Sequence, residues 1–157
     1  MKEAVGRKND VVGECRMKII ETNLVGQEFS FDLIDTALHD IGFNRGGMFD
    51  YDWAAYDYPL LTSKLDDFMF LRIFTRATSG VIERSNCTVQ VTDVMITGAK
   101  YHEGLDFSKE IEKKYVDRAR EILQEAALRL KADSIDINVR DASVTDREIR
   151  SGVRPVF

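Results

Sequence analysis

The residues best suited to chemistry crowd into one stretch. Positions 45–58, RGGMFDYDWAAYDY, hold three tyrosines, the chain's one tryptophan, three aspartates and an arginine. Such a set could hold a divalent cation through carboxylates, or a small molecule through aromatic faces and hydrogen bonds. Read as an extended strand, Asp50 and Asp52 share one face while Asp57 lies past a break in the pattern, so no metal site is expected. The two histidines add little. His39 falls on a helix four residues after Asp35, where a surface histidine beside a carboxylate is the simpler reading. His102, in YHEG, lies in a connecting loop between Tyr101 and Glu103, where sites often sit. HEG is not HExxH, and no CxxC occurs. Arg45-Gly46-Gly47 lacks the glycine-rich surroundings of a phosphate loop and reads as a connector. With no GxSxG and no Cys–His pairing, no nucleophile is assigned and catalytic residues stay unassigned. No cofactor is expected. If a pocket exists, it should lie where the strand after Gly47 meets the Tyr101–Gly104 loop. Its lining would be Tyr51, Tyr56, Tyr58, Arg72, Arg76 and His102.

The elements that would position these residues are legible from periodicity. Residues 1–16 are polar and aperiodic, and read as an N-terminal extension. MKIIE, 17–21, reads as a short strand. Ser30 is a good N-cap for a helix whose Leu33, Ile34, Ala37, Leu38 and Ile41 recur at helical spacing. Phe29 and Ile34 suit a hydrophobic staple, and Gly42 ends the helix. Three strand-like runs follow, 48–61, 67–78 and 86–98, joined by short connections that imply antiparallel neighbours. Ser108 or Asp106 should cap a second helix over 109–131. There Ile111, Tyr115, Ala119, Ile122, Ala126 and Leu130 form an apolar stripe, widened by Val116, Leu123 and Ala127. Its charged remainder reads as a solvated face. Ile135, Ile137 and Val139 alternate like an edge strand at the start of a C-terminal extension, 133–157. This predicts one α+β domain over 17–132: an antiparallel sheet with both helices packed on one face.

Alternation along the strands gives the faces. Phe49, Tyr51 and Trp53 point one way; after Ala55 the phase flips to Tyr56, Tyr58 and Leu60, which predicts a bulge near 54–57. Met69, Leu71 and Ile73 form an inner face, opposite Phe68, Phe70, Arg72, Phe74 and Arg76. Cys87, Val89 and Val91 face in, and Asp93 disturbs the phase before Val94 and Ile96. The outer face thus combines aromatics with arginines, opposite Asp50 and Asp52 and near Thr88, Gln90 and Thr92. That combination marks an interface, or a surface covered by the chain's own tail.

Composition sets outer limits. A chain of 157 residues, 44% hydrophobic, suffices for one core. With 22 basic against 27 acidic residues the net charge is −5, the wrong sign for phosphate neutralisation, so nucleic acid is not an expected partner. No apolar run nears the ~20 residues of a membrane span, and the polar N-terminus lacks a signal-peptide core. A cytoplasmic protein is expected. Cys15 and Cys87 lie in unlike contexts and make no disulfide framework; Cys87 reads as a small buried hydrophobe.

GFNRGGMFDYDWAAYDYPL resembles the signature of the YugN-like family of small bacillus proteins. The matching positions are Gly42, Phe43, Arg45, Gly46, Gly47, Phe49, Asp50, Tyr51, Tyr56 and Asp57, and the Tyr101–His102 segment is also similar. The resemblance spans roughly residues 17–131. It implies a compact α+β fold, an antiparallel sheet flanked by helices in a TATA-binding-protein-like arrangement. It implies no reaction and carries over no catalytic residue, and a shared fold would not bring a shared function. The expected role is a non-enzymatic interaction protein, a homodimer joined through the sheet face or edge. The alternative is a small-molecule-binding protein or enzyme using the pocket named above.

Overall fold

A computed structural model describes residues 15–45, 47, 49–62, 67–100, 111–132 and 135–142, with only the backbone of 15, 16, 62, 67, 68, 99 and 100. In chain order these residues form β1 (Cys15–Thr22), β2 (Glu28–Ser30), α1 (Phe31–Ile41), β3 (Trp53–Thr62), β4 (Asp67–Ser79), β5 (Thr88–Lys100), α2 (Lys113–Arg129) and β6 (Ile137–Asp141). The strands make one antiparallel sheet in the order β3-β4-β5-β1-β6, and β2 pairs separately with the start of β5. The extensions before residue 15 and after 142 lie outside the described residues. Cys15 and Arg16 belong to β1 rather than to the N-terminal extension, and β6 is the edge strand expected from Ile137 and Val139.

The first helix follows its sequence signals. The Ser30 hydroxyl accepts the Leu33 N–H at 3.1 Å, as an N-cap should. Gly42 closes the helix at φ +129°, donating to the Leu38 and His39 carbonyls. A side chain there would also stand 3.0 Å from the Tyr58 ring. Ile34 and Leu38 are fully buried, whereas Leu33, expected in the apolar stripe, is exposed. It lies one residue, about 100° of helical turn, from Ile34 and points past the core. In α2 the stripe holds: Ala119, Ile122, Leu123, Ala126, Ala127 and Leu130 are buried. This helix starts at Lys113 rather than 109, and the side chain of Glu112 at its N-cap makes no capping hydrogen bond. Ser108 and Asp106 lie outside the described residues.

The run expected as one strand over 48–61 is two things. The Asp50 N–H donates to the Trp53 carbonyl at 2.9 Å, and Phe49 and Ala54 form an isolated bridge. Residues 49–54 therefore reverse direction tightly, and β3 begins at Trp53. The Asp50 carboxylate accepts the Tyr51 N–H at 2.7 Å, the local bond that makes aspartate a turn former. The expected bulge at 54–57 is absent: β3 pairs without interruption from Trp53 to Pro59, and its register shifts between Pro59 and Leu61. The phase flip after Ala55 was the signature of the turn. By contrast Asp93 does mark a bulge. Phe74 pairs with Asp93 but Thr75 with Val91, so Thr92 is the extra residue.

Two cores result. The main one joins α1 and α2 to the inner sheet face: Ile20, Ala54, Tyr56, Met69, Leu71, Ile73, Val89, Val91, Val94 and Ile96 meet the helices. Cys87 is buried in it, as expected. A smaller cluster of Met17, Ile19 and Met95, with Phe74 and Ala142 against it, lies on the face that no described helix covers. Met95 is 0% exposed there.

Candidate functional site

Among the described residues, two groups of polar side chains lie on opposite faces of the sheet near the expected site. Under α1, Asp35 is the hub. Its Oδ1 accepts the Tyr56 hydroxyl and the Arg45 Nε–H, each at 2.8 Å. Arg45 Nη2 donates onward to Glu83 at 3.0 Å. The guanidinium lies 4.7 Å from the Phe49 ring centroid and 5.5 Å from that of Phe31. Burial opposes the Arg45 charge, but Asp35 and Glu83 outweigh it and hold its pKa above the ordinary value. Its Nη1 is buried without a hydrogen-bond partner among the described residues. Glu83 reaches Arg45 from a backbone at φ +74°, a left-handed conformation uncommon for any residue but glycine. The Gly80–Cys87 loop that carries it is tied down by Ile82 N–H to the Tyr51 carbonyl and by Phe31 N–H to the Cys87 carbonyl. The Cys87 thiol, in contact with this region, is pushed up by burial and by the nearby Asp32 charge, which keeps it protonated.

On the other face, Asp57 and Arg72 oppose one another across β3 and β4. Arg72 Nε and Nη2 bind the two Asp57 oxygens at 2.6 and 2.7 Å, a bidentate pair. The Arg72 guanidinium also lies 6.0 Å from the Phe74 ring centroid, and Phe74 meets Trp53 at 6.1 Å between centroids. Alternation places Phe70 and Arg76 on this same face.

Of the six residues expected to line one pocket, the five that are described are spread over three places. Tyr56 and Tyr58 face the helices. Arg72 and Arg76 face the other way, with the sheet between them. Tyr51 stands at the turn, 78% exposed. His102 and the Tyr101–Gly104 loop lie outside the described residues. Tyr58 packs edge-on to Phe43, at 5.5 Å, and its hydroxyl accepts from Arg118 on α2 at 3.1 Å, so it ties strand to helix. The carboxylates expected opposite the arginines were Asp50 and Asp52; both sit in the exposed turn, and Asp57 takes that role. His39 is exposed, and Asp35 turns from it to Tyr56 and Arg45. Sequence reading missed Asp35, Arg45 and Glu83 as one group. Arg45 looked like part of a flexible turn, and nothing local links it to Glu83, 38 positions away.

Chemically, the Asp35 group is a hydrogen-bonded network built around a buried tyrosine hydroxyl and an arginine. The Tyr56 hydroxyl is 1% exposed as a residue and its pKa lies far above the ordinary 10.0, raised by burial and then by Asp35. It can donate a hydrogen bond but cannot act as a base near neutrality. A raised folded-state pKa means this group's stabilisation is complete below the unfolded value of 10.0 and is lost as pH rises beyond it. Tyr56→Phe should cost about 1.5–3 kcal/mol at pH 7, one hydrogen bond to a carboxylate. It should also flatten the alkaline loss of stability above pH 10 by up to ~1.4 kcal/mol per pH unit. Urea unfolding at pH 7 and pH 11 reads both; equal alkaline slopes in the two proteins would refute the assignment. Among the described residues no cluster of His, Cys, Asp or Glu could hold a metal ion, and no helix is long and apolar enough to cross a membrane.

A family model described as the YugN-like family matches residues 19–116. The chain is 23% identical over 117 residues to "Uncharacterized protein YlbA" of Bacillus subtilis (strain 168), covering 73% of this chain and 96% of that protein. Its fold is similar to the crystal structure of uncharacterized conserved protein YugN from Geobacillus kaustophilus HTA426. The TM-score is 0.62 at 19% identity, over 72% of this chain and 95% of the other. At that identity the likeness speaks for the fold alone.

Proposed function

The chain belongs to the YugN-like family, and on that premise we propose that it is a non-enzymatic interaction protein that pairs with a second copy of itself through the face of its sheet that no described helix covers. The observation that carries this reading is the strip along β3 and β4. Trp53, Phe70 and Phe74 are half-buried there beside Arg72, Arg76 and Asp57. Arginine with aromatic residues is the composition that interfaces concentrate and ordinary surface does not. A two-fold interface sets the same patch against itself, so it must be self-complementary. A strip carrying both charge signs meets that condition, whereas one of a single sign would repel its own copy. Five strands about 4.8 Å apart, averaging roughly ten residues of ~3.3 Å, give a face of roughly 800 Å². That is of the order of the ~800 Å² per partner in a standard interface.

Sedimentation velocity on the full chain at tens of micromolar is the direct test. A dimer is expected, and Trp53→Ala or Arg76→Glu should weaken it at least about tenfold, the scale of a central interface residue. A strict monomer at all concentrations, or a dimer that both substitutions leave intact, overturns the proposal.

A further inference from the structure

The patch of Met17, Ile19 and Met95 is dry on a face where it should be wet. Met95 is 0% exposed, Ile19 4% and Met17 6%, on the side of the sheet that no described helix covers. Neighbours within the sheet do not account for this. Side chains stand roughly perpendicular to a sheet whose strands are about 4.8 Å apart, so their tips meet water unless a second layer lies above them. Phe74 on β4 and Ala142 just past β6 pack against the patch. Ala142 also gives the direction of the chain. Lys18 pairs with Asp141, so Ala142 falls opposite Met17 and on its side of the sheet. The chain therefore leaves β6 on the uncovered face. Residues 101–110 are committed elsewhere, because they must end at Ile111, buried in the main core on the opposite face.

We infer that residues 143–157 of the same chain fold back across this face and form the layer over Met17, Ile19 and Met95. Reach is ample. Met95 on β5 lies two strand spacings from β6, about 10 Å, which about three extended residues span. Fifteen residues follow Ala142. Val144, Ile149, Val153, Val156 and Phe157 recur among them and supply the apolar groups such a layer needs. Burying them against the patch removes apolar surface from water on both sides of the contact. The second copy proposed above is set on the β3–β4 strip beside this layer, and the inference does not rest on that pairing.

Photo-crosslinking of the full chain, with p-benzoylphenylalanine in place of Ile149, tests this directly. Benzophenone inserts into C–H bonds within its reach, those of methionine among the readiest. Crosslinks are expected in the monomer band of a denaturing gel, mapped by mass spectrometry to Met17, Met95 or Phe74. Crosslinks confined to a dimer band place the segment on another copy and overturn the inference, as do crosslinks elsewhere in the chain or none. Hydrogen peroxide gives a second readout. In the double variant Val144→Asp, Ile149→Asp, sulfoxide formation at Met95 should be at least about tenfold faster, because exposure governs it. Met69, 0% exposed in the main core, reports whether the fold is kept. Unchanged oxidation at Met95 means that something else, such as residues 1–14, forms the layer, and overturns the inference. If Met69 oxidises too, the crosslinks alone decide. Sedimentation reads the pairing and monomer-band crosslinks read the layer, so either can fail without the other.

Discussion

Arg72→Met is expected to destabilise the protein by about 3–5 kcal/mol, the cost of leaving one member of a buried ion pair uncompensated. The Asp57 side chain retains only 10% exposure, and both of its oxygens are held by Arg72. Methionine fills much of the space but offers no donor, so the carboxylate stays nearly out of water without a counter-charge. For a chain of this length the shift in Tm should be roughly 6–20 °C. Asp57→Asn in the Arg72→Met background should recover part of the loss, because the charge that cannot be solvated is gone. A single variant within about 0.5 kcal/mol of the parent, the range of an ordinary surface change, would show that the pair carries little.

Arg45→Ala should cost about 2–4 kcal/mol. Charge-assisted hydrogen bonds are worth ~1.5–3 kcal/mol each when their partners are buried, and cation–π contacts ~0.5–1. Arg45 makes two of each, to Asp35 and Glu83 and to Phe31 and Phe49. The total falls below a plain sum because Asp35 and Glu83 are 31% and 49% exposed, so water replaces part of what is lost. Arg45→Lys should recover less than half, since one ammonium cannot reach both carboxylates and stack between two rings. The loss should appear first in the loop over α1, with faster amide exchange at Ile82 and Cys87 than in β4. Full rescue by lysine would reduce Arg45 to a point charge and sink the argument.

Both effects concern residues that local pattern could place only in part. Arg72 was assigned to the outer face of its strand by alternation alone, and that placement holds. Its partner was not found, because the carboxylates nearest in pattern, Asp50 and Asp52, are turn residues, and Asp57 lay beyond the misplaced bulge. Asp93 succeeded where 54–57 failed for a physical reason. Around Asp93 both flanking stretches are true strand, so a phase break can only be an extra residue. Around Ala55 one flank is a turn, and a turn shifts phase without any bulge.

By itself, the sequence determined what repeats at short range: the cap at Ser30, the stop at Gly42, the apolar stripe of α2, the inner faces of β4 and β5, and the α+β class that follows from their order. Each rests on interactions within a few positions or on a period of two or 3.6. Tertiary structure decided which strands flank β5, that β1 leaves it beyond Ile19, and that Arg45 links Asp35 to Glu83 across 38 positions. Those outcomes follow from closing long loops around a shared core. No window of neighbouring residues records which distant group will fill the space that closure leaves.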